Sequence, residues 1–246
     1  MVRFDFARRH AWDAWFWALL LALALILVVM AFHGPVSARF AGASPPASWG
    51  LVLHVWSSAG WLVLLGVQAA FVARGRLRWH RLFGNALLPL AAVVMWSGTM
   101  AQVEGDRLRM EAQPELLSYT IIPISYLAMF GALAVAAWLA RRRPAAHKRL
   151  ILLATGCLMA GVFIRALGPV LFPSLPSNRL TELLINYGGT LLFILIGISY
   201  DLATRGWVHR VYGVAVPLML VTMIAVLAAT RTGWLPEVTR GLIAFQ

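Results

Sequence analysis

R-L-R-W-H-R-L-F-G-N-A-L-L-P-L, residues 76–90, sets three arginines around Trp79 and His80 and then runs into apolar side chains. A chain entering a bilayer has this form. Cationic groups stay with the lipid headgroups, tryptophan takes the interface, and the apolar residues continue into hydrocarbon. The same junction recurs as R-P-A-A-H-K-R-L-I-L-L around His147 and as R-G-W-V-H-R-V-Y-G-V-A around His209. Each copy fits R-x-x-x-H-[R/K]. The first and third extend to H-R-x-aromatic-G-x-A, whereas Ile151 replaces the glycine in the second. Self-similarity at roughly one helical hairpin predicts a first helix followed by three related hairpins.

The rest of the chain agrees with a membrane reading. Hydrophobic residues make up 61% of the 246 positions, and mean hydropathy is +0.79. A soluble domain is nearer about 45–50% apolar. Runs of about 20 apolar residues are long enough to cross hydrocarbon as helices. We expect seven spans, at about 14–33, 50–73, 82–102, 117–140, 150–172, 181–201 and 211–230, joined by short loops into one all-α transmembrane bundle covering 1–246.

Net charge is +12, and its placement sets a direction. Fourteen of the 21 basic residues fall on one side: Arg3, Arg8 and Arg9 before the first span, then the loops holding Arg74 to Arg81, Arg141 to Arg149, and Arg205 with Arg210. The positive-inside rule then puts the N-terminus in the cytoplasm and the C-terminus outside. Charge confined to short loops does not form a nucleic-acid face, so no nucleic-acid partner is expected. The expected partners on this side are acidic lipid headgroups. Val36-Ser37-Ala38 after the first apolar run resembles a signal-peptidase site, but that run is longer than a signal's apolar core, and we expect the first helix to be retained. The expected location is a bacterial inner membrane. Cys157 is the one cysteine, so an intrachain disulfide is excluded.

Two groups of polar residues are candidate sites. The first is the interfacial repeat: Arg76, His80, Arg81; Arg143, His147, Lys148; Arg205, His209, Arg210. Interfacial anchoring accounts for these residues. The sharper alternative is that three imidazoles at one depth converge on a ligand, and the flanking arginines favour an anion over a cation there. The second group lies toward the outer half of the spans: His54, Ser57, Ser58, Tyr119, Arg165, Glu182, Asn186 and Tyr187. Polar groups inside spans are costly and mark function by default. Arg165 lies about eight residues from the outer end of its span, roughly 12 Å deep. Its expected partner is Glu182, supported by Asn186, either as a tie between helices five and six or as a pocket for an anionic or quinone-like group. Tyr200 and Asp201 precede Arg205, and a local salt bridge is expected there. Pro89, Pro123, Pro169 and Pro217 inside spans, and Gly188-Gly189, would let helices kink or approach closely.

Chemistry is constrained mainly by what is missing. No H-E-x-x-H, G-x-S-x-G, P-loop or C-x-x-C motif occurs, so zinc-peptidase, serine-hydrolase, nucleotide and thiol-redox readings lack support. Span seven has no lysine for a retinal Schiff base. A b-type haem needs two ligands facing each other at one depth; His33 is the level histidine for His54, and a methionine opposite His54 is the other arrangement. A transporter remains a third reading, though a hairpin repeat differs from the common inverted pairs.

The stretches H-V-W-S-S-A-G-W-L-V-L-L-G-V-Q (54–68), H-R-L-F-G (80–84) and A-H-K-R-L-I-L-L-A-T (146–155) resemble a group of uncharacterised bacterial polytopic membrane proteins, a domain of unknown function, over roughly residues 50–170. That resemblance implies a bacterial inner-membrane bundle and carries no activity. A weaker likeness, through the H-R-x-x-G helix start, is to cytochrome b561-like and ferric-reductase-like proteins, whose stacked in-membrane histidine pairs this chain lacks.

Overall fold

The structure, a computed structural model, describes residues 6, 10–43, 47–110 and 113–244. Arg3, Arg8 and Arg9 lie outside these. The fold is 86% helical, with no strand among the described residues. Nine α-helices occur there: α1 Asp13–Phe40, α2 Trp49–Ala73, α3 Leu77–Gly84, α4 Leu87–Arg109, α5 Ile121–Leu139, α6 Pro144–Leu171, α7 Arg179–Arg205, α8 Arg210–Ala229 and α9 Leu235–Ala244. Seven segments are long and apolar enough to cross a membrane, matching the seven expected spans.

Large apolar side chains on the outside confirm which solvent the bundle is built for. Leu19, Ile26, Val29, Val63, Leu195, Leu218, Val221 and Ile224 are all well exposed. An apolar exterior of this extent is stable only against lipid. The protein is a multi-pass membrane helix bundle.

Helix α6 is its axis, packed on α1, α5, α7 and α8. Small residues make that position tenable. Gly156 and Ala160 on α6 face α7, where a Cβ on Gly189 would collide with the Met159 backbone. Close backbone approach then supplies the dispersion contacts that hold helices together in lipid. Thr190 Oγ1 donates to Gly156 O at 3.1 Å across the same contact.

Helix ends follow local chemistry. Asn178 caps α7 by accepting from Thr181 N at 2.9 Å. Gly206, at φ +73°, ends α7 in the left-handed region that a glycine adopts without strain. Two elements differ from expectation. The basic entry at 76–84 is a separate short helix, α3, with no buried residue, and Phe83 stacks on Phe71 at 5.8 Å and on Trp79 at 6.0 Å. After the last span the chain turns into α9, which docks on the 3₁₀ turn Pro114–Tyr119 and on α4. There Thr239 Oγ1 donates to Leu117 O at 3.2 Å, and Arg107 Nη2 to Ile243 O at 2.9 Å. The end of the bundle holding α3 and the starts of α1, α6 and α8 is called here the basic end, and the other the far end.

Candidate functional site

In the far half, polar side chains from four helices meet beside α6. His54 on α2 faces α4: its Nδ1 is 3.5 Å from Ser97 Oγ, and its ring edge fills the space where a Cβ on Gly98 would stand. Ser57 Oγ lies 3.2 Å from Ser97 Oγ. Ser97 also donates to Val93 O at 2.6 Å, which satisfies it inside the helix contact. Ser58 Oγ is buried with no hydrogen-bond partner among the described residues.

Arg165 is the group that sets this layer apart. Its Nη1 donates to Gly161 O, one turn back along α6, at 2.7 Å. The guanidinium therefore points toward the middle of the span, away from the near interface to which a membrane arginine would snorkel. Gly161 is ten residues from the end of α6 at Leu171, about 15 Å along the helix axis. The Tyr126 hydroxyl converges on the same glycine: a Cβ there would stand 3.1 Å from Arg165 Nη1 and 3.1 Å from Tyr126 Oη. Phe32 of α1 presents its ring 5.8 Å from the Arg165 Cζ. The Arg165 side chain is nonetheless exposed. Among the described residues no carboxylate lies within ion-pair distance of it.

The expected Arg165–Glu182 pair does not form. Glu182 pairs instead with Arg231, just beyond α8. Asn186 donates to the Glu182 backbone carbonyl at 2.8 Å and so stays on its own helix. The two helices match in depth, but α7 turns Glu182 toward α8. Tyr187 is fully buried and bonds Ser125 at 2.7 Å, on the packed side of α7. Tyr119 is 44% exposed at the far end, outside the layer. Of the expected site residues, His54, Ser57 and Arg165 share a neighbourhood; Glu182, Asn186, Tyr187 and Tyr119 do not belong to it.

The geometry does not fit a haem held by His54 and His33. His54 has its edge against Gly98 and Ser97 within a helix contact, and His33 lies exposed on α1, its carbonyl accepting from Ser37 at 2.8 Å. Among the described residues no two imidazoles face each other across a gap at that depth. Among the described residues no group of three His, Cys, Asp or Glu side chains could hold a metal ion.

The basic end is organised differently. Arg149, only 4% exposed, grips Asp201 of α7 through Nε at 2.8 Å and through Nη2. The His209 backbone N–H donates to the same carboxylate at 3.1 Å. Asp13 at the start of α1 accepts from Tyr200 Oη at 2.6 Å and pairs with Lys148 at 3.3 Å and Arg205 at 3.6 Å. Phe16 stacks on the Tyr200 ring at 3.9 Å. The expected local bridge of Asp201 to Arg205 is thus replaced by a pair across two helices, and Arg205 reaches α1. Burial alone would raise the Asp13 carboxyl, but the Tyr200 hydrogen bond and the Lys148 charge outweigh it and hold the carboxyl below the usual range. Burial, and then the Arg149 charge, push His209 down to about 4.

The three repeat histidines do not converge. His80 and His147 approach, rings 6.4 Å apart and edge to face. His147 bonds Ala137 O through Nδ1 at 2.8 Å. His209 is turned to the other side of α6, where its Nδ1 caps α8 by accepting from Val211 N at 3.1 Å. Arg76, Arg81, Arg143 and Arg210 are exposed around this end.

Three participants escaped the sequence reading. Asp13 and Arg149 resembled ordinary flanking charges, yet the first is a lone acid at a helix start and the second stands one turn inside a span; both positions are signals. Asp106, 3% exposed, accepts from Gln102 at 2.9 Å and Thr120 at 2.7 Å, in a far-end polar cluster near Glu104. No protein-family model, curated protein or solved structure matches the chain.

Proposed function

We propose that this protein binds an anionic or quinone-like amphiphile, which reaches the Arg165 layer sideways from the lipid. The supporting observation is the Arg165 guanidinium: held near mid-depth by Gly161, exposed, and without a carboxylate among the described residues. A charge at that depth is costly unless something neutralises it or hydrogen-bonds to it. The Tyr126 hydroxyl supplies a second donor at the same place, and Phe32 an aromatic wall. No catalytic motif accompanies them, so binding rather than catalysis is the proposed activity. We place the chain in a bacterial inner membrane with the basic end in the cytoplasm, on the asymmetry of its loop arginines.

Mass spectrometry of small molecules that co-purify in mild detergent tests the binding. One bound acidic lipid or quinone fewer per chain in Arg165→Leu than in the wild type is the expected result. Equal retention by both would overturn the reading. A Soret band in the purified protein would overturn it in favour of haem-linked electron transfer. An external-side reporter fused after Gln246 should be active, and silence would reverse the orientation.

A further inference from the structure

We infer that the basic end carries a built site for one acidic glycerophospholipid, in the groove between the α5–α6 turn and the start of α8. This site is separate from the Arg165 layer and does not depend on it. Arg143 precedes the first residue of α6, and Arg210 is the first residue of α8. They stand at the mouth of a groove of about 420 Å³ whose walls are Ala146, Leu150, Val211 and Val214. The small Ala146 side chain leaves space that a leucine would fill. Val214 is 65% exposed, and one turn further Leu218 is 64% exposed, so the apolar track continues along α8 toward the hydrocarbon.

Charge decides the occupant. Arg143 and Arg210 are both exposed, and no carboxylate among the described residues is within ion-pair distance of either. The nearby Asp201 carboxylate is already engaged by Arg149 and the His209 N–H. Arg141 is engaged as well, with its guanidinium over the Trp138 ring at 3.9 Å and bonded to Trp138 O. Two guanidiniums at one level, above an apolar slot open to the membrane, match a phosphate joined to an acyl chain. Guanidinium binds phosphate through paired N–H donors. A free phosphate ion leaves the slot empty, and an apolar helix leaves two charges unanswered.

The experiment uses the full chain in an uncharged detergent, with phosphatidylglycerol or phosphatidylcholine added to the micelles. Native mass spectrometry counts bound lipid. Heat-induced labelling of Cys157, the one cysteine and fully buried, reports unfolding. In the Arg165→Leu background, which removes the other site, phosphatidylglycerol should still bind at one per chain and delay labelling, with phosphatidylcholine far weaker. Two arginines near a surface contribute about 1 kcal/mol each, so Arg143→Gln with Arg210→Gln should weaken phosphatidylglycerol about thirtyfold. Val214→Trp, which leaves both charges and plugs the slot, should weaken it too. Arg74→Gln with Arg78→Gln, equally basic and away from the groove, should change it little. Undiminished binding by the Arg143/Arg210 variant would overturn the site. An equal loss from the Arg74/Arg78 variant would reduce it to general charge attraction, and equal protection by millimolar inorganic phosphate would show that the acyl slot is irrelevant.

Discussion

Arg149 and Arg165 lie on one helix, sixteen residues apart, with opposite surroundings. Arg149 is almost sealed and doubly bonded to Asp201. Arg165 is exposed, bonded to its own backbone, and without an acid. A buried ion pair of the first kind ties α6 to α7, and removing one member strands the other. An arginine of the second kind contributes little to the fold and is free to meet something else. One helix therefore carries a structural charge at the basic end and a receptive one at mid-depth.

The largest effect should come from breaking the tie. Asp201→Asn leaves Arg149 buried without its counter-charge, at a cost of about 3–5 kcal/mol. Cys157 labelling should occur at a much lower temperature. Replacing both members, Arg149→Met with Asp201→Leu, should recover most of that loss. If the double variant is no better than the single one, the pair is not what the buried charge depends on.

Acid should loosen the same end next. The unfolded chain protonates His209 near about 6.5, whereas the folded chain does so only at about 4. Between these values the unfolded state holds more protons, so stability falls as pH drops from about 6.5 toward 4 and is unaffected above that window. Asp13, with its depressed carboxyl, adds a loss in the same direction at still lower pH. His209→Asn retains a capping oxygen for α8 and should flatten the profile between pH 6.5 and 4. An unchanged slope would assign the acid sensitivity to another group.

Arg165→Leu should do the reverse of Asp201→Asn. Unfolding temperature should hold or rise, because an apolar side chain replaces a charge in the hydrocarbon layer, while retention of the co-purifying amphiphile falls. A large loss of stability would mean that Arg165 is a tie after all, and the contrast between the two arginines would collapse. The smallest effect belongs to Glu182→Gln. Its partner Arg231 is half exposed, and such pairs contribute up to about 1 kcal/mol. A larger drop would indicate a closed far end.

The seven spans and the short basic loops could be read from the residues because length and hydropathy act along the chain. Depth could be read in part: counting put Arg165 about eight residues inside its span, and its guanidinium bonds Gly161, ten residues from the end of α6, whereas Tyr119, grouped with the same layer, is exposed outside it. Partners could not. Glu182 matched Arg165 in depth but faces Arg231. Asp201 was expected to answer its neighbour Arg205 and instead answers Arg149. The repeat placed His80, His147 and His209 at one level, yet only the first two meet. In each case the missing quantity was rotation about the helix axis.

Alone, the sequence determined the all-α class, the number of apolar helices long enough to cross and the basic end, because a bilayer acts on position along its normal. Only the tertiary structure decided which charges are answered and which are left open. That choice depends on the azimuth of each helix; between α6 and α7 it is set by small residues, where Gly156, Ala160 and Gly189 let the two backbones touch.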